Sequence, residues 1–136
     1  MMAPAAATWA ARLGAIDLAP TPLAFMASPV TLWIFTVLAL VELVTDQLPS
    51  TPSRTVPVQF GTRLLTGGLS GAAIAAPSGA LVAGAVAGIV GAVVGTLGGR
   101  ALRGALATTF GNDHPAALIE DAIAIAGAAL VVFALQ

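Results

Sequence analysis

Residues 64–99, LLTGGLSGAAIAAPSGALVAGAVAGIVGAVVGTLGG, contain no charged side chain and are broken once, by Ala-Pro-Ser-Gly at 76–79. A hydrocarbon core of roughly 30 Å takes about 20 mostly apolar residues to cross as a helix. The stretch therefore reads as two membrane-length helices, about 57–76 and 79–100, folded back on each other through a turn too short to hold anything else.

The same pattern recurs on either side. Residues 18–41 are uncharged, and so is everything after Asp121. Ser28-Pro29 is a favourable N-cap followed by proline at the first helical position, and opens a span expected over 28–46. Pro115 opens a fourth expected over 115–135, with Gly111-Asn112-Asp113-His114 before it as a capping loop. The linker PSTPSRTVP at 49–57 cannot be helical throughout and reads as an exposed connection. Residues 3–16 look helical and Ala-rich, with Trp9 and Arg12, but are too short to span. No basic segment precedes them, so a secretory signal peptide fits poorly. The fold class expected is all-α: a polytopic transmembrane helical bundle of about four spans plus a short N-terminal helix, forming one domain over 1–136.

Composition agrees. The chain is 58% hydrophobic and 8% charged, where soluble domains carry about a quarter charged residues. Cysteine is absent, which removes disulfides, thiolate metal sites and a cysteine nucleophile. A net charge of −1 offers no basic face for nucleic acid. The lipid bilayer is the expected partner. With four spans, Arg54, Arg63, Arg100 and Arg103 fall at one end of the bundle and Arg12 at the other. The positive-inside bias places the arginine-rich end in the cytoplasm, so that Gln136 faces outward.

Two sets of residues stand out. Gly84, Gly88, Gly91, Gly95 and Gly99 recur at spacings of four, three, four and four, and Gly67 and Gly71 repeat the small-xxx-small pattern on the preceding helix. Glycine lets helix backbones approach closely where lipid supplies little hydrophobic drive. These faces either pack the hairpin internally or form the seam of a homo-oligomer or of a contact with another membrane protein.

The second set is charged. Glu42 and Asp46 are spaced i, i+4 on one helix face. Glu120 and Asp121 enter the fourth span about 8 Å from its start, at 1.5 Å per residue. Arg63 and Arg100 are expected at matching depth. Carboxylates inside a membrane are costly and are functional candidates by default. Either they pair with the arginines and neutralise buried charge, or at least one faces a hydrated cavity and binds a proton, cation or polar solute.

Catalytic arrangements are weak. His114 with Asp113 lacks further metal ligands, no serine sits in a GxSxG context, and Gly67-Gly68-Leu69-Ser70-Gly71 has neither the lysine nor the strand of a phosphate loop. No catalytic residue, metal or cofactor is expected, and enzymatic function is disfavoured.

Four segments, APAAATWAARLG at 3–14, ELVTDQLPSTPSR at 42–54, GIVGAVVGTLGGRALR at 88–103 and ALIEDAIAI at 117–125, resemble a bacterial family of small membrane proteins, domain-of-unknown-function family 4126. The resemblance implies a multi-pass protein of the bacterial cytoplasmic (inner) membrane without an assigned activity. It marks Glu42, Asp46, Pro49, Arg100, Glu120 and Asp121 as positions matching the family's polar motifs. It also implies further residues before the APAAA stretch, enough to complete a helix. The function expected is a small-solute or ion transport module using the carboxylates, with dimerisation through the glycine faces thickening its wall. The alternative is a structural or assembly subunit that binds other membrane proteins through those faces.

Overall fold

Proline and glycine punctuate the chain into five α-helices, seen in a computed structural model that describes residues 1–46, 57–110 and 113–134. They are α1 (Met2–Arg12), α2 (Pro29–Asp46), α3 (Pro57–Ala75), α4 (Leu81–Phe110) and α5 (Asp113–Ala134), and no strand occurs among the described residues. The 47–56 linker, with Pro49 and Arg54, lies outside them.

Local chemistry sets the boundaries. The Ser28 hydroxyl accepts the Thr31 backbone N–H at 3.2 Å and so caps α2, with Pro29 at the first helical position. Gly14, at φ 77°, ends α1, and the Ala15 N–H reaches back to the Ala10 carbonyl at 2.9 Å. Gly79, at φ 74°, turns α3 into α4 in the same way, with the Ala80 N–H on the Ala75 carbonyl at 3.1 Å. Both are left-handed positions that only glycine adopts without strain.

Two ends differ from expectation. α4 does not stop at Arg100 but runs ten residues further and carries Arg100 and Arg103 within it. Residues 101–110, ALRGALATTF, contain good helix formers and no proline, so a charge that marks the edge of an apolar stretch does not end the helix. α5 begins at Asp113, which puts His114 and Pro115 in its first turn and not in a preceding loop.

The short α1 occupies the centre of the bundle. Ala7 and Ala10 are fully buried and join Ile16, Leu18, Met26, Ala73 and Ala76 in the core. α1 contacts α2, α3 and α5, and α2 meets the bundle chiefly through α1 and the 3₁₀ turn Ala24–Ala27. α1 and α2 run antiparallel. Met1 lies against Glu42, and the Trp9 indole donates to the Thr36 hydroxyl at 3.1 Å while its ring meets Trp33 edge-on at 6.5 Å. A helix of alanines with one small face is what lets three neighbours close around it.

The largest interface joins α3 to α4, and glycine makes it. A Cβ on Gly67 would stand 2.7 Å from the Gly88 carbonyl oxygen, and one on Gly71 or Gly84 would strike the other's carbonyl group. Gly91 and Gly95 have nothing within 4 Å of that position. The glycine stripe of α4 thus divides: Gly84 and Gly88 pack against Gly67 and Gly71, and Gly91 and Gly95 stand clear of α3.

Outside this contact the surface is apolar. Among the described residues one stretch, Leu81–Leu102 in α4, is long and apolar enough to cross a membrane, and very little of it is buried. The core helix of a water-soluble protein would be mostly covered. This one presents Val82, Val86, Val90, Val94 and Leu97 outward. α2 adds a shorter apolar stretch, Pro29–Thr45, with Trp33, Val37, Leu40, Val41 and Val44 exposed. α3, interrupted by Gln59, Thr62, Arg63, Thr66 and Ser70, does not reach the same standard.

The division of the stripe gives a direct expectation. Gly71→Ala forces the helices apart and should lower stability by about 1–3 kcal/mol, whereas Gly91→Ala, which meets open space, should leave it unchanged or raise it by a few tenths to about 1 kcal/mol. Denaturant unfolding in detergent micelles separates the two; equal effects would mean that α3 and α4 do not cross where described.

Candidate functional site

Beyond the glycine crossing, the space left between α3 and α4 is a cavity of about 720 Å³. α3 lines it from Arg63 to Ile74 and α4 from Gly88 to Leu102. The start of α1, Glu42 and Leu43 of α2, and Ile123, Ala124 and Gly127 of α5 complete the wall. Its narrow end is the crossing, and its other end carries charge.

The charged end is an ion pair between helices. Glu42, one turn before the end of α2, faces Arg63 of α3 at 3.5 Å, with the side chains 31% and 28% exposed respectively. The α-amino group of Met1 lies on the same carboxylate. At 3.5 Å the contact is an attraction between charges and not a short charge-assisted hydrogen bond, which would measure about 2.7–2.9 Å. The pair also borders a second cavity of about 250 Å³ on the α2–α3 face, lined by Leu38, Val41, Val58 and Gln59. Glu42, Arg63 and Thr66 line both cavities, so the ion pair stands in the wall between them.

Hydroxyls continue inward from the pair. Thr62, Thr66 and Ser70 recur every fourth residue on α3, each donating to the carbonyl one turn back: Val58 at 2.9 Å, Thr62 at 2.9 Å and Thr66 at 2.6 Å. Thr66 and Ser70 line the large cavity, their hydrogens committed and their oxygens still able to accept. Across from them Thr96 of α4, only 5% exposed, lines the same cavity, and its hydroxyl has no hydrogen-bond partner among the described residues.

Of the expected site residues, Glu42 and Arg63 come together. Arg100 is exposed on α4 and is not among the described residues that line either cavity. Asp46 is the last residue of α2, and Glu120 and Asp121 lie in α5, but their side chains fall outside the described residues. Gly67, Gly71 and Gly88 serve both the packing and the cavity floor, Gly91 and Gly95 the floor alone, and Gly84 the packing alone, while Gly99 also lines the cavity. The hydroxyls of Thr66, Ser70 and Thr96 were not singled out by sequence reasoning. The i, i+4 spacing of Thr62, Thr66 and Ser70 was a usable signal. Thr96 carried none, since one threonine among glycines gives no period.

A family model described as a domain of unknown function (DUF4126) matches residues 1–135. The chain belongs to this family. In this DUF4126 member the match takes in α1 to α5 together, so the pair, the hydroxyls and the glycine crossing all lie within the family domain. No curated protein and no solved structure matches the chain.

Because Glu42 and Arg63 lie on different helices and are largely shielded from bulk water, their contact should register as coupling. A double-mutant cycle of Glu42→Gln and Arg63→Gln, followed by denaturant unfolding, should give an interaction energy of about 0.5–3 kcal/mol. Additive single effects would show that the two groups do not interact.

Proposed function

We propose that this DUF4126 protein is a multi-pass protein of the cytoplasmic membrane that binds and translocates a small polar solute through the cavity between α3 and α4. α2, α3, α4 and α5 are its four spans, with the Arg63 end of the bundle toward the cytoplasm by the positive-inside bias. One observation carries the reading: an interhelical ion pair separates two cavities and borders a chamber of about 720 Å³. That volume lies within the roughly 300–1,000 Å³ usual for small-molecule sites. If Glu42 and Arg63 served only to neutralise each other, close side-chain packing around them would suffice. Instead they border open space whose far walls bear hydroxyls.

The wedge shape supports movement of solute as well as binding. Helices whose closest approach lies at Gly67, Gly71, Gly84 and Gly88 can tilt about a contact made largely of backbone, and rocking of helices about a fixed site is the usual means of alternating access. Assembly through the glycine faces has less support, because Gly67, Gly71, Gly84 and Gly88 are used within the chain, and Gly91 and Gly95 line the cavity. A second copy of the chain remains compatible with the proposal, because many apolar side chains on the outside of α2 and α4 are uncovered.

Gly95→Leu fills the cavity from a position that touches nothing. It should therefore cut solute flux into proteoliposomes at least about tenfold, a barrier increase of about 1.4 kcal/mol, with little change in stability; Glu42→Gln should cut flux by a similar factor while also losing the stability that its contact with Arg63 contributes. Wild-type flux in both variants would remove the cavity from the mechanism.

The absence of cysteine makes the topology testable with single replacements. Ser53→Cys should react with a membrane-impermeant maleimide from the cytoplasmic side only, and Ser78→Cys from the opposite side only. Labelling of both from one side would overturn the span assignment.

A further inference from the structure

We infer that the solute is uncharged and carries both hydrogen-bond donors and acceptors, as a short polyol or urea does, and that it passes along a row of hydroxyls formed by Thr96, Thr66 and Ser70. This inference rests on the solute-binding reading above and specifies its chemistry.

Thr96 supplies the sign of a ligand. Inside a helix, a threonine or serine hydroxyl can spend its hydrogen on the carbonyl one turn back, and Thr36, Thr62, Thr66 and Ser70 all do so, at 2.6–2.9 Å. Thr96 does not. It is 5% exposed and borders the chamber, and its hydroxyl has no partner among the described residues, although buried polar groups are almost always hydrogen-bonded. Its hydrogen and its lone pairs are both left for a molecule in the chamber.

The register of α3 against α4 puts the hydroxyls in order. A Cβ on Gly67 would meet the Gly88 carbonyl and the Ala92 side chain, and the two helices run antiparallel on either side of the 76–80 turn. Thr96, one turn beyond Ala92, therefore stands near the level of Arg63, one turn before Gly67. From that level Thr66 and Ser70 lie about 4.5 and 10.5 Å further toward the crossing, at 1.5 Å per residue. Thr66 and Ser70 have already donated their hydrogens to backbone carbonyls, so they take donors from the solute, whereas Thr96 can also give a hydrogen to an acceptor. A solute bearing both kinds of group exchanges one hydroxyl for the next with its polar groups met at each step. A molecule with acceptors alone is held by Thr96 and by neither of the others.

The surroundings of the row disfavour charge. The Glu42 carboxylate already meets both Arg63 and the α-amino group of Met1, and Met1 and Arg63 each make a further contact. A charged solute would have to compete with contacts already made there. Deeper in, it would stand among Ala6, Ile74, Gly91 and Ile123 with hydroxyls as its main solvation, and an isolated ion costs far more to bury than a hydroxyl or an amide. An uncharged solute meets neither obstacle.

The test is uptake of radiolabelled urea, glycerol, alanine and choline, each offered separately to proteoliposomes of the full chain and to protein-free liposomes of the same lipid. Urea, glycerol or both should enter at least about tenfold faster with the protein present, equivalent to about 1.4 kcal/mol of barrier, while alanine and choline enter at the protein-free rate. The near-isosteric Thr96→Val should slow that uptake about threefold or more, the effect of losing one neutral hydrogen bond. Because it replaces a buried hydroxyl without a partner by a methyl group, it should also leave the denaturant midpoint unchanged or raised. Thr66→Val combined with Ser70→Ala should slow uptake by at least the same factor. If the double variant fails to fold, the wild-type solute series and Thr96→Val still decide. Protein-dependent uptake of alanine or choline that Gly95→Leu abolishes would overturn the uncharged solute and leave the cavity standing as a pathway. No protein-dependent uptake of any of the four would count against both readings. Urea and glycerol uptake unchanged in Thr96→Val and in the double variant, or a lowered midpoint in Thr96→Val, would refute the row of hydroxyls.

Discussion

The backbone contact of α3 with α4 is the constraint on which the remaining architecture depends. Where Gly67, Gly71, Gly84 and Gly88 meet, a Cβ at any of the four would come within 3 Å of the opposite helix. Two helix axes cannot stay that close along their whole length when other side chains intervene, so close approach at one point implies separation elsewhere. The separation is the cavity. Packing and cavity are therefore one geometric fact, and the divided roles of the α4 glycines follow from how far each lies from the crossing.

A second constraint acts through α1. Its alanines are small enough for α2, α3 and α5 to gather around it, with Ala7 and Ala10 fully buried. Its antiparallel register with α2, held by the Trp9–Thr36 bond and the Trp9–Trp33 contact, sets the height of Glu42 relative to the bundle. α3 brings Arg63 to that height from the other side. The ion pair thus depends on small side chains well away from it, and its position records the register of three helices.

Much of this was legible in the residues. Ser28-Pro29, Pro57 and the 76–79 turn marked helix ends because proline and a capping hydroxyl act locally. The end of α4 was missed because Arg100 marks a change of solvent preference, to which the backbone hydrogen bonds of ALRGALATTF are indifferent. The small-residue spacing showed that helices approach closely, but not which half of the α4 stripe makes the approach, since every glycine obeys the same period and only the crossing point distinguishes Gly88 from Gly91. Glu42 and Arg63 were recognisable as a candidate pair among several, because depth can be counted along a helix whereas azimuth between helices cannot. The centrality of α1 was hidden for a related reason: an alanine face is too weakly apolar to advertise burial, and its burial comes from what its neighbours can do around it. Membership of the DUF4126 family, suggested by four short segments, holds over residues 1–135.

α4 is a lever with its fulcrum near one end. Its thirty residues extend about 45 Å at 1.5 Å per residue, and the glycine crossing lies within the first eight of them. From Gly88 to Phe110 the longer arm is about 33 Å on the same rise per residue, so a tilt of about 10° at the crossing would swing the far end by about 6 Å. Over the short arm the same tilt moves the 76–80 turn by less than about 2 Å. Motion confined to a few backbone atoms at Gly84 and Gly88 is thus amplified along a helix that carries Arg100 and Arg103, and whatever meets the distal part of α4 would feel a displacement several times larger than the one at its origin.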